Sequence, residues 1–126
     1  MDTIYGTRKA ILKSKLEVDI AFITSPSNIF YYTGFLSNPH ERFMALVFNT
    51  KTNKEILYVP ALDLDAAEQV AHIQHIVPIT DEQMPFEVVK NTIGNLGSTA
   101  GVEAKALTLS RYLELTNALN VQVKDI

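Results

Sequence analysis

The sequence predicts an α/β protein: a three-layer α/β/α sandwich built on a mixed sheet with one antiparallel hairpin. Three observations carry this expectation. Strand-like and helix-like stretches take turns along all 126 residues, the pattern of a sheet whose strands are joined by helical crossovers. A polar hexapeptide, NTKTNK at 49–54, separates two apolar stretches and marks a reversal rather than a crossover. Apolar residues make up 47% of the chain and charged residues 20%, enough to give one domain spanning 1–126 a core of its own.

The elements follow in order. The first helix carries Ile4, Ile11, Leu12 and Leu16, with Arg8, Lys9, Lys13 and Lys15 read as its solvated outer face. VDIAFIT (18–24) is short, apolar and β-branched, as a central strand covered on both faces should be. Ser25 is placed to cap a short helix with Pro26 at its first position and Gly34 closing it in a left-handed conformation. Ile29, Phe30, Tyr31, Tyr32 and Phe35 are expected to form the buried face and exit of that helix.

MALVF (44–48) and EILYVP (55–60) form the hairpin, so one strand should run against the others. In ALDLDAAEQVA (61–71), Leu62, Ala66 and Val70 share a helical stripe; HIQHIVPI (72–79) then alternates as a strand, with Ile73, His75, Val77 and Ile79 on one face. Thr80 and Gln83 suggest a capping box before a helix with Pro85 near its start and Phe86, Val89, Ile93 and Leu96 inward. TAGVEA (99–104) reads as a strand, TLSRYLELTNAL (108–119) as a helix with Leu109, Tyr112, Thr116 and Leu119 inward, and VQVKDI (121–126) as a final strand. Right-handed crossovers then place helices on both faces of the sheet. Because natural ends commonly fray, a strand running into the last residue suggests a piece of a longer protein.

Composition removes several function classes. A formal net charge of -3 supplies no positive field for phosphates, so no nucleic-acid partner is expected. The absence of cysteine excludes disulfides and thiolate chemistry and suits a cytoplasmic location. No apolar run approaches the roughly 18 residues needed to span a bilayer, and the first 15 residues hold no export-type apolar stretch, so neither membrane insertion nor secretion is expected.

No motif in the chain builds a reaction centre by itself. His72 and His75 would converge on a metal only in a helix; on a strand they point to opposite faces. Asp63 and Asp65 stand early in a helix, where acids favour the macrodipole. The five glycines, at 6, 34, 94, 97 and 101, form no phosphate-binding loop, and there is no G-x-S-x-G elbow. Catalytic and metal-ligating residues are therefore not assigned. What remains is SNPHERF (37–43), in which Pro39 fixes a bend and His40, Glu41 and Arg42 follow one another in a loop before an apolar strand. Its residues alone fit a solvated turn with a local ion pair as well as a functional loop.

At these positions the sequence resembles the creatinase/prolidase metallopeptidases, specifically the N-terminal domain of bacterial Xaa-Pro dipeptidases. The resemblance rests on SPSNIFYYTGF, through Asn28, Tyr31, Tyr32, Thr33, Gly34 and Phe35, and on NPHER at 38–42; EILYVPALDLDAA, AGVEA and LNVQVKDI follow in family order, covering nearly the whole chain. It implies a ribonuclease-H-like α/β/α domain whose C-terminal pita-bread catalytic domain is absent from this chain. In the family that second domain carries two Asp, one His and two Glu around two divalent ions, an oxygen-rich set suited to manganese, and hydrolyses Xaa-Pro dipeptides; none of those ligands is assigned to this sequence.

The resemblance further implies a homodimer in which a loop reaches the opposite subunit's active site. Asn38, His40, Glu41 and Arg42 are the candidates for that substrate-access loop, Arg42 for a carboxylate and Glu41 for an ammonium group. The fragment alone is expected to be inactive. The competing readings are a stand-alone ligand-binding or interaction module, the N-terminal domain of an aminopeptidase P, and a metal-free paralogue.

Overall fold

Ile20–Ile23 places four apolar side chains in a row, and a strand sends successive side chains to opposite faces. Neither face of this strand can meet water, so it needs a helical layer on each side. The computed structural model describes residues 3–126 and shows that arrangement. Its elements are α1 (Ile4–Lys15), β1 (Ile20–Ile23), α2 (Pro26–Thr33), β2 (Ala45–Asn49), β3 (Lys54–Pro60), a 3-10 turn (Ala61–Asp63), α3 (Leu64–Val70), β4 (Ile76–Ile79), α4 (Pro85–Thr92), β5 (Thr99–Val102), α5 (Leu109–Ala118) and β6 (Gln122–Asp125). Among the described residues no helix is long and apolar enough to cross a membrane.

The strands form one sheet in the order β4-β3-β2-β1-β5-β6. β2 is antiparallel to both neighbours and every other pairing is parallel, so one strand runs against five. Alternation divides the core in two. Ile20, Phe22, Ala45, Val47, Ile56 and Tyr58 face α4 and α5; Ala21, Ile23, Leu46, Phe48, Leu57 and Val59 face α1, α2 and α3. Buried Asn49 secures the hairpin. Its amide donates to the carbonyls of Ile93 and Asn95 at 3.0 and 2.8 Å, and its oxygen accepts from the Lys51 and Thr52 amides, so all four of its hydrogen-bonding positions are used.

Several helix faces differ from the sequence expectation. On α1, Ile4 and Ile11 are exposed, whereas Lys9 is buried. The Lys9 ammonium pairs with Glu55 at 2.9 Å and donates to the His72 carbonyl at 2.8 Å; Lys13 reaches the same carboxylate at 3.1 Å. A lysine stem can lie along apolar surface while its head finds a distant partner, and a partner on the hairpin is invisible in a local charge pattern. On α2 only Ile29 and Thr33 are fully buried, while Phe30 and Tyr31 stand exposed, because an eight-residue helix turns one narrow face to the sheet.

The stripe Leu62, Ala66 and Val70 faces outward; Leu64, Ala67 and Ala71 pack inward. The 3-10 turn at Ala61–Asp63 breaks the α-helical phase assumed for residue 62. On α5, Leu115 and Leu119 are buried with Ala118 against them, while Leu109 and Tyr112 are exposed. β4 begins only at Ile76, and Ile73 joins the layer opposite Val77 and Ile79. The Gln83 side chain does accept from the Thr80 amide at 2.8 Å, but it closes a turn ahead of α4, which starts at Pro85. The inward set Phe86, Val89, Ile93 and Leu96 is found as expected.

Burial pushes the Glu55 carboxyl up, but the hydrogen bonds and charges of Lys9 and Lys13 together outweigh it and hold the group below its ordinary value. A depressed folded-state value stabilises above the unfolded one, and that stabilisation is lost as pH falls through the folded value. Glu55→Gln should therefore lower the unfolding free energy by about 1–3 kcal/mol near neutral pH. Urea denaturation of both proteins should show this difference vanishing below the carboxylate range, where wild-type Glu55 is itself protonated.

Candidate functional site

Gly34 ends α2 at φ +79°, with its amide donating to the Phe30 carbonyl at 2.8 Å. A Cβ at this position would lie 3.0 Å from the Tyr5 ring and 3.2 Å from His72, so both the conformation and the space call for glycine. Beyond it, buried Phe35 packs in the α1–α3 layer and buried Phe43 in the α4–α5 layer. The loop joining α2 to β2 thus passes from one layer to the other. It does so at the end of the sheet where β1, β3, β4 and β5 finish and β2 begins. In α/β sheets the crevice beyond the carboxyl ends of the strands is the usual place for ligands.

The sequence-predicted residues stand together at the tip of this loop. The Asn38 side chain accepts from the His40 amide at 3.1 Å, and the Arg42 amide donates to the Pro39 carbonyl at 3.0 Å, closing a tight turn. His40 has φ +56°, a left-handed conformation uncommon outside glycine and asparagine. Asn38, His40, Glu41 and Arg42 are all exposed. Among the described residues the His40 and Glu41 side chains form no hydrogen bond.

Three partners outside the loop hold it. Ser37 donates to Asp63 at 3.1 Å. Arg42 makes a two-pronged contact with Asp81, Nε to Oδ1 at 3.0 Å and Nη2 to Oδ2 at 3.3 Å. Arg111, on the first turn of α5, donates to the Glu41 carbonyl at 2.8 Å and to Glu114 at 2.9 Å, and its guanidinium lies 5.5 Å from the centre of the Phe43 ring. Phe43 in turn meets Phe86 edge-on, ring centres 5.1 Å apart. The Asp81 hydrogen bond and charge raise the Arg42 guanidinium, and Arg42 holds the Asp81 carboxyl below its ordinary value.

Beneath the tip lies a cleft of about 330 Å³ bordered by Arg42, Phe43, Asp81, Met84, Phe86 and Arg111. A second hollow, of about 550 Å³, on the other side of the loop runs past Thr24, His40 and Leu107. The loop is the wall between them. Exposed guanidinium and carboxylate groups above an apolar floor suit recognition of a small molecule with charged ends.

Sequence reasoning missed Asp81, Arg111 and Glu103. Asp81 lies 39 residues from Arg42, and Arg111 lies 70 from Glu41, so no local spacing announces them. Glu103 accepts from the Thr24 and Ser25 amides at 2.7 and 2.8 Å and also from the Asn28 side chain. It fastens the start of α2 to the end of β5, and so joins the SPSN and AGVEA stretches. His72 stacks on Tyr5 with ring centres 4.5 Å apart, and His75 is exposed outside the strand. Among the described residues no group of three or more His, Asp or Glu is placed to hold a metal ion.

The sequence model of the Creatinase/Prolidase N-terminal domain matches residues 8–126. An uncharacterized peptidase of Staphylococcus epidermidis is 34% identical over 115 residues, covering 90% of this chain and 31% of its own length. One from Staphylococcus aureus is 33% identical over 105 residues, covering 83% of this chain and 28% of its own. The chain therefore spans less than a third of these relatives. The crystal structure of the creatinase/prolidase N-terminal domain of an X-Pro dipeptidase from Streptococcus pyogenes superposes with a TM-score of 0.81 at 25% identity, covering 99% of this chain and 100% of that one. A proline dipeptidase from Streptococcus pneumoniae gives 0.82 at 27% identity, covering 98% and 91%.

Arg111→Ala should release the loop without unfolding the domain. Amide exchange at residues 40–43 should accelerate, while global stability falls by no more than about 1 kcal/mol, because exposed ion pairs contribute little. Hydrogen-exchange mass spectrometry read beside thermal unfolding checks both parts.

Proposed function

The chain belongs to the creatinase/prolidase N-terminal domain family, and from that premise we propose that it is the non-catalytic N-terminal domain of a metal-dependent Xaa-Pro dipeptidase. The whole protein hydrolyses dipeptides with a C-terminal proline in the cytoplasm, and this domain supports a homodimer and governs substrate access. The observation that carries the reading is the loop: anchored in both helical layers, it presents His40, Glu41 and Arg42 at the end of the sheet where β1, β3, β4 and β5 finish, the usual place for ligands in α/β sheets. The curated relatives are peptidases more than three times as long as the stretch they share with this chain, which leaves room for a catalytic region downstream.

Within this reading the division of labour follows from the donor set. The described residues offer no cluster that fits a metal pair, so two divalent ions, manganese for a hard oxygen-rich set, belong to the downstream region. Held there, they would supply Lewis-acid chemistry for the hydrolysis. This domain supplies recognition. A Xaa-Pro dipeptide carries an ammonium at one end and a carboxylate at the other, and its scissile nitrogen has no hydrogen to offer a binding site. Selectivity then rests on the two charged ends. The fork of Arg42 matches the carboxylate, the Glu41 carboxylate matches the ammonium, and Asn38 and His40 line the approach.

In the full-length protein, Arg42→Ala and Glu41→Ala should each raise KM for a Xaa-Pro dipeptide by about tenfold with kcat little changed, as for a lost charge-assisted contact. Unchanged KM in both variants would reject the recognition role. The isolated 126-residue chain, supplied with manganese, should release no proline; release from a clean preparation would place the reaction centre within it.

A further inference from the structure

Arg42 does not wait with an empty fork. Asp81 fills it in the two-pronged geometry that a substrate carboxylate would adopt. We infer that Asp81 is a specificity-determining residue: it stands in for the substrate carboxylate, and only a ligand bearing its own carboxylate displaces it.

Four observations carry this. The side chains are 47% and 68% exposed, so the pair is weak enough to exchange with a competing anion. Among the described residues both hydrogen bonds to the Asp81 side chain come from Arg42, so the fold asks nothing else of that carboxylate. The loop backbone is fastened independently, by the Pro39 carbonyl and by Arg111 on the Glu41 carbonyl, and keeps its shape when the pair opens. Asp63, the other carboxylate acting on Arg42, is already engaged by Ser37. A neutral ligand end gains too little from Arg42 to replace Asp81, whereas a carboxylate exchanges like for like. Asp81 thus sets how strongly a free carboxylate is preferred: a free dipeptide must displace it to reach Arg42 and binds more weakly for that, whereas a ligand that does not engage Arg42 is unaffected.

The inference rests on the reading that Arg42 meets the substrate carboxylate, and the two can fail separately. In the full-length protein, Asp81→Asn should lower KM for a Xaa-Pro dipeptide about two- to fivefold, leave kcat unchanged, and leave the KM for the corresponding dipeptide amide where it was. Asp81→Ser serves as a second variant, and thermal unfolding verifies that both are folded. If Arg42→Ala raises KM while Asp81→Asn and Asp81→Ser leave it unchanged or raise it, Asp81 merely positions the arginine and the stand-in role is wrong. If Arg42→Ala leaves KM unaltered for acid and amide alike, the recognition reading falls and this inference with it. Equal gains for acid and amide would also overturn it, since a general opening of the loop would then explain them.

Discussion

The architecture depends on the two-sided burial of β1. Ile20, Ala21, Phe22 and Ile23 are all at most 3% exposed, and a strand with no solvent face must lie inside a sheet that is covered above and below. Its neighbours run in opposite senses, β2 antiparallel and β5 parallel. The chain leaving β1 therefore passes through α2 on one face and must return to the same end of the sheet to begin β2. That return path is the loop of residues 35–44, and the entry into β2 forces it across the rim from one helical layer to the other.

The loop combines a rigid base with a lightly held tip. Phe35 and Phe43 are buried on opposite sides of the sheet, and Phe43 belongs to an aromatic chain through Phe86 to Phe22. Burying such a ring contributes on the order of 2–3 kcal/mol, far more than any exposed polar contact at the tip. The apolar residues thus fix where the tip sits, and the arginines fix only its orientation. Rings stand beside a run of ionisable groups here because they anchor it, although Phe30 and Tyr31 are exposed and take no part in the anchoring. Arg8 lies over the Tyr31 ring at 4.1 Å, covering a side chain that the short helix cannot bury.

What the sequence disclosed follows from how far each signal reaches. Among the described residues, the six strands and five helices, the reversed strand and the central place of β1 were legible because strand burial and turn chemistry are local. The inward face of α4 was legible because its apolar residues lie on one side. α3 and α5 carry apolar residues around most of their circumference, so that Leu64 competes with Leu62, and Leu115 with Leu113, and only the packed sheet decides. The loop was identifiable from its residues and from resemblance. Its partners Asp81 and Arg111, the Glu103 clasp and the Lys9–Glu55 pair were not, since each joins positions dozens of residues apart. Strand order was equally hidden, as β1 pairs with β5 across three intervening strands in the chain.

The left-handed backbone of His40 bears on how the tip should be dissected. A β-branched replacement at this position removes the imidazole and also disfavours the bend, so a loss of function could be ascribed to either change. Asparagine tolerates positive φ without carrying an ionisable ring. Comparing it with glycine and valine at the same position would separate the chemistry of the side chain from the shape of the path beneath it.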